Sequence, residues 1–293
     1  MPLIRKIGLP VLLLPTAATA FGSDAGVPTK AELLFQIGPL PVTNSMVASW
    51  SIALFIVIVI RLATWRPKLV PTAGQAIVES LVQGVLDLIT PIVGPRVARP
   101  AFPLLLALFT FILIQNWSGL FPGVASIKVL EHGEWMDAIR PGNADMNSTI
   151  ALAIVAMVCW LYFIMRYAGP KAVLQDLFGN KAERKEIPPV IYYFLFIVFF
   201  GVGLIEIISI LFRPVSLSFR LFGNVMGGES LIHAMYGVQK WLLPVPFYIL
   251  ELLIGFVQAL VFTLLVSVYI GLICNHGDEE HGPAKAGEAA APH

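Results

Sequence analysis

Between Ile249 and Ile273 the chain carries a single charged residue, Glu251, in an otherwise apolar run. Further apolar runs cover Met46 to Thr64, Ala101 to Phe121 and Ser148 to Tyr167. Runs of about 18 or more apolar residues read as membrane spans. In hydrocarbon a single segment can satisfy its backbone polar groups only as a helix. Composition agrees, with 57% apolar and 13% charged residues and a mean hydropathy of +0.82. A soluble domain carries about 25% charged residues. The expected fold class is an all-α polytopic membrane protein.

Residues 1–20 read as a signal peptide. Arg5 and Lys6 form a basic start, Ile7 to Pro15 a short apolar core, and Ala18-Thr19-Ala20 a small-x-small cleavage pattern. Residues 21–45 form a polar outer-side segment with little fold expected of its own. Pro39 and Pro41 argue against a long helix there. A single transmembrane domain is expected over 46–275. The Gly/Ala/Glu/His-rich tail, 276–293, reads as disordered.

Basic residues set the orientation. Arg61, Arg66, Lys68, Arg96 and Arg99 fall in the 61–100 connection, and Arg166, Lys171, Lys181, Arg184 and Lys185 in the 166–187 connection. The 122–147 connection has Lys128 and Arg140 against Glu131, Glu134, Asp137 and Asp145. The positive-inside rule places the first two in the cytoplasm and the third outside. An exported amino terminus gives the same orientation. Between the first two spans, Gln75, Glu79, Gln83 and Asp87 recur every fourth residue over Thr72 to Leu88. One polar stripe on an apolar helix suits an interfacial helix or one packed on a bundle.

The net charge of +1 gives no reason to expect nucleic acid. Cys159 and Cys274 form no disulfide framework or metal-ligand pattern. No phosphate-binding glycine loop, serine elbow or metal motif is present. Neither a cofactor nor bond-making chemistry is expected.

From Val190 to Asn275 there is no long polar connection. Val190 to Phe212 and Leu217 to Tyr236 could be two spans or one long, tilted helix, bent at Pro214. This region nevertheless holds Glu206, Arg213, Arg220, Glu229, His233, Lys240 and Glu251. A charge at the bilayer centre costs about 2.5–3.5 kcal/mol on the gentlest scale, so such residues face protein, water or an ion path. Glu206, Arg213 and Arg220 are seven apart and share a helix face; Glu229 and His233 are four apart. Arg213 beside Pro214, and Lys240 beside Trp241, read as interface residues that snorkel. Arg220 reads as a functional cation, with structural pairing to Glu206 as the alternative. Glu229, His233 and Glu251 can relay protons, with a simple Glu229–His233 pair as the alternative.

The stretch Pro214-Val-Ser-Leu-Ser-Phe-Arg220-Leu-Phe-Gly-Asn224-Val-Met-Gly-Gly-Glu229 resembles the signature of the a subunit of F-type ATP synthase, bacterial or organellar. The resemblance extends over most of residues 40–275, including Asn116 and Gly119, and Glu251 to Tyr269 with Gln258. It implies five crossings, an amphipathic interfacial helix after the first, and two long tilted helices as a closing hairpin. It places the chain in the bacterial inner membrane, amino terminus outside and carboxyl terminus in the cytoplasm. Its implied partners are the c-subunit ring, the b-subunit peripheral stalk, the other F0F1 subunits and the lipid bilayer.

The resemblance also assigns roles. Arg220 matches the essential arginine facing the ring carboxylate, and Asn224 the asparagine one turn on. Glu229 and Glu251 match polar groups lining aqueous half-channels, Glu206 a further acidic position, and Gln258 a glutamine facing the arginine. His233 matches no fixed family residue. In the family the Glu229 and Glu251 positions are often one acid and one histidine; here both are glutamate, which implies a more acidic channel. A Na⁺-coupled relative, a secondary transporter and a purely structural subunit stay open as alternatives, although no inverted repeat favours the transporter.

Overall fold

The structure, a computed structural model, describes residues 33–37, 40–121, 128–131, 134–137, 141–170, 189–239 and 242–274. The signal-peptide segment, the tail and Lys240 lie outside the described residues.

Among the described residues six helices carry the fold: α1 (Asn44–Ala63), α2 (Ala73–Val93), α3 (Pro95–Ser118), α4 (Met146–Tyr167), α5 (Pro189–Val238) and α6 (Pro244–Cys274). All six are long and apolar enough to cross a membrane. The chain is a multi-pass membrane protein.

α5 settles the question left open by hydropathy. It runs unbroken for 50 residues, with Pro214 inside it. At 1.5 Å per residue that is about 75 Å, more than twice the roughly 30 Å hydrocarbon core, so α5 must tilt steeply. Pro244 and Pro246 lie in the first turn of α6, directly after the connection from α5. A proline costs nothing there, because its missing N–H has no helical partner anyway. α5 and α6 form a hairpin whose register is marked by three contacts. Tyr236 and Tyr248 hydroxyls meet at 3.4 Å near the turn, Asn224 meets Gln258 further along, and Arg213 lies over Tyr269 further still.

The core is the seam between α3 and α6, flanked by α2, α4 and the middle of α5. Leu105 and Ile112 of α3, Ile164 of α4, Leu217 and Leu221 of α5, and Phe262 and Ile270 of α6 are fully buried in it. Gly94, with φ of 87°, makes the sharp corner between α2 and α3 in a backbone region that L side chains avoid. α1 is buried only at Asn44, Ser45 and Ala48, all in its first two turns. Leu54, Val57 and Leu62 of α1 and Ile205, Leu211 and Phe212 of α5 are exposed. In a bilayer such faces meet lipid or other membrane helices.

The polar stripe of α2 is present as a hydrogen-bonded row. Gln75 donates to Glu79 at 2.7 Å and Gln83 to Asp87 at 2.8 Å. Gln75 also clamps the preceding loop, accepting from Lys68 N–H and donating to Lys68 C=O, both at 3.1 Å.

Two short hairpins add to the all-α frame. Leu33–Ile37 pairs with Leu40–Thr43, and Lys128–Glu131 with Glu134–Asp137, both antiparallel. The first corrects the expectation of little fold within 21–45. Pro41 excludes a helix, but in a two-stranded sheet it can sit with its ring on the free edge and lose no ladder bond.

Candidate functional site

α5 and α6 carry every candidate residue of the sequence, and the structure sorts them into three groups along α5. Arg220 lies in the middle, on an exposed face. No carboxylate among the described residues pairs with it. One turn on, Asn224 Nδ2–H donates to Gln258 Oε1 at 2.6 Å, tying α5 to α6. Gln258 is buried, and its Nε2 has no hydrogen-bond partner among the described residues. A buried donor left without a partner costs about 1–3 kcal/mol, so this amide has unused capacity beside Asn224.

The second group lies toward the carboxyl-terminal end of α5. Glu229 is nine residues beyond Arg220, about 14 Å along the helix. It lies within electrostatic reach of Glu251 on α6. The Glu251 carboxylate sits directly against Gly228, in the space that a Cβ there would occupy. His233 is exposed one turn past Glu229.

Glu251 also neighbours a buried polar cluster that the sequence reading largely missed. Asn116 at the end of α3 donates to Gly255 C=O at 3.1 Å, and Trp117 Nε1–H donates to Leu252 C=O at 3.0 Å. Asn143, in a 3-10 turn over Gly142–Ala144, donates to Asn116 Oδ1 at 2.7 Å. Gln115 donates to Ser49 of α1 at 2.8 Å, and Ser45 to Asp145 at 2.9 Å. Asp145 also caps α4, accepting from Asn147 N–H at 3.2 Å. The signal was available: Gln115 and Asn116 end an apolar span, and polar groups inside a membrane call for partners.

The third group lies toward the other end of α5. Glu206 accepts a 2.7 Å ion-pair hydrogen bond from Arg213 Nη2. This overturns two readings. Arg213 does not snorkel; its side chain is only 13% exposed, because Glu206 and two aromatic rings draw it inward. Nor does Glu206 pair with Arg220, since fourteen residues of unbroken helix separate them by about 21 Å.

Among the described residues no group of three or more His, Cys, Asp or Glu could hold a metal ion. Cys159 is a free thiol.

The family of ATP synthase A chains matches residues 46–271. The chain belongs to that family. ATP synthase subunit a 2 of a Bradyrhizobium species is 32% identical over 83% of this chain and 94% of its own length. The subunit a of Moorella thermoacetica is 30% identical over 81% of this chain and 93% of its own. That of Gloeobacter violaceus is 30% identical over 88% and 94%. As an ATP synthase A chain, this protein has the general role of the membrane a subunit of an F-type ATP synthase. Arg220, the exposed cation, and the acids on either side of it all fall within the matched region.

Proposed function

We propose that this chain is the stator channel subunit that loads and unloads protons on the carboxylates of a rotating c ring. Two aqueous half-channels serve it, one open to each side of the membrane. Arg220 stands between them. Glu229, Glu251, Asn224, Gln258 and His233 belong to the outer one, and Glu206 to the cytoplasmic one.

The observation that carries this reading is the exposed position of Arg220 on a membrane-embedded helix. An arginine does not lose its proton under ordinary conditions. A bare guanidinium facing lipid is costly, so its face calls for a counter-charge on a partner. A ring carboxylate supplies one. The division of the acids into two groups on opposite sides of Arg220 supports the half-channels, because neither group alone reaches across the bilayer.

The cycle follows from electrostatics. A proton from outside neutralises a ring carboxylate, which can then move into lipid, where its ionised form would be far costlier. When a carboxyl returns to Arg220, the positive charge favours its ionised form and the proton leaves to the cytoplasm. The same charge obstructs protons passing directly from one channel to the other. Each charge falling through 100 mV supplies about 2.3 kcal/mol, delivered as rotation.

The same reading places the chain in the bacterial inner membrane, amino terminus outside, beside a b-subunit stalk and the other F0F1 subunits. α2, with its polar row, lies in the cytoplasmic interface, and the other five helices cross. Residues 1–20 serve as a signal peptide, 46–275 form the membrane domain and 276–293 a disordered tail.

The test is ATP-driven proton pumping in inverted membrane vesicles carrying the whole complex, wild type against Arg220→Ala. Pumping by wild type and none by the variant, with the complex assembled, is the expected result. Equal pumping in both would return the chain to the transporter and scaffold alternatives.

A further inference from the structure

Arg213 ties three helices together. Its guanidinium lies 4.5 Å from the Tyr269 ring centroid on α6 and 5.5 Å from that of Trp160 on α4. Trp160 is itself fixed, donating its indole N–H to Tyr269 C=O at 2.7 Å. The two rings and the Glu206 carboxylate thus form three walls around one cation. Aromatic faces attract a cation through their quadrupole, and more strongly when water is excluded. A planar guanidinium suits such a site better than a compact, strongly hydrated ammonium.

The partner is held differently. The Glu206 side chain is 45% exposed, against 13% for Arg213. One carboxylate is thus anchored from inside the bundle while keeping an open side. Without an anchor, a glutamate on a helix surface samples several rotamers. The ion pair also serves Arg220. Arg213 lies seven residues, about 10 Å, from Arg220 on the same helix face. Unpaired, it would be a second cation beside the path; paired, the two charges largely cancel.

We propose that Arg213 is a positioning residue: clamped over Trp160 and Tyr269, it fixes the Glu206 carboxylate at the mouth of the cytoplasmic half-channel. This rests on the half-channel reading, which the Arg220→Ala control tests separately. Glu206 is the group that meets the transferred proton or its water, and Arg213 acts through it.

The experiment measures ATP-driven pumping per assembled complex in inverted vesicles for Arg213→Gln, Arg213→Lys, Glu206→Gln and the Arg213→Gln/Glu206→Gln double variant. Losing the anchor is expected to lower the rate about tenfold, the scale of one charge-assisted hydrogen bond. Arg213→Lys, which keeps the charge but loses the planar fit to the rings, is expected to fall about threefold, between wild type and Arg213→Gln. The double variant is expected to pump no worse than the weaker single variant, because both act through one carboxylate. Wild-type pumping by Arg213→Gln, a Lys variant as impaired as the Gln variant, or multiplied losses in the double variant would each overturn the proposal. Should Arg213→Gln not assemble, Arg213→Lys decides: a rate well above that of Glu206→Gln supports the clamp, and a loss like that of Glu206→Gln overturns it. If Arg220→Ala is inactive while Arg213→Gln is normal, only the clamp falls. If Arg220→Ala pumps normally, the half-channel reading itself falls.

Discussion

The carboxylate of Glu251 on α6 fills the space that a side-chain carbon on Gly228 of α5 would need. A glycine lets the helices approach with an acid between them. Gly228→Ala should force Glu251 to swing away or α5 and α6 to part. Such overpacking costs about 1–3 kcal/mol, and pumping should fall about tenfold in complexes that still assemble. Shortening the acid by one methylene, in Gly228→Ala/Glu251→Asp, should return part of the rate. Unchanged pumping by Gly228→Ala would show that Glu251 has room to spare.

Asn224 and Gln258 should behave as one unit. Asn224→Leu strands the Gln258 carbonyl, and Gln258→Leu strands the Asn224 amide, each costing about 1–3 kcal/mol. The double variant removes both stranded atoms and should cost less than the sum. Thermal unfolding of the detergent-purified complex measures this. Additive losses would mean that the two amides act independently.

Asn143→Ala removes the donor to Asn116, which in turn bonds α6 at Gly255. Passive proton conduction through vesicles stripped of F1 should slow by about threefold, the effect of one ordinary buried hydrogen bond. Unchanged conduction would confine Asn143 to holding the 3-10 turn in place.

Glu251→Gln keeps the shape of the side chain but cannot titrate, so pumping should be largely lost. Glu251→His restores titration, and pumping should persist. A rate–pH profile of the two variants checks both statements. A Gln variant as active as wild type would remove Glu251 from the path.

The helices were legible because apolar runs in a membrane protein have few alternatives, and the charges because a bilayer penalises each one. Arg220 was found that way, Asn224 and Gln258 through the family resemblance, and the structure brings the last two into contact. What stayed hidden is the register between helices. Arg213 beside Pro214 looked like an interface residue because Trp160 and Tyr269, which hold it, lie on other helices. The Arg220–Glu206 pairing looked open until α5 proved continuous. Asn143 and Asp145 read as residues of a polar loop, because nothing local reveals that the turn folds back into the bundle, where both are buried.

The continuity of α5 has a geometric consequence for the proposed cycle. Glu206 and Glu229 ride on one rigid rod, about 35 Å apart along its axis. Because the rod is steeply tilted, part of that separation is sideways, in the plane of the membrane. The port where a proton boards and the port where it leaves are then offset around the circumference of the ring. A rider stepping on at one cannot step off at the other without being carried. The handedness of the tilt, set by how α5 leans on α4 and α6, thereby fixes which sense of rotation goes with inward proton flow, and the opposite sense goes with pumping.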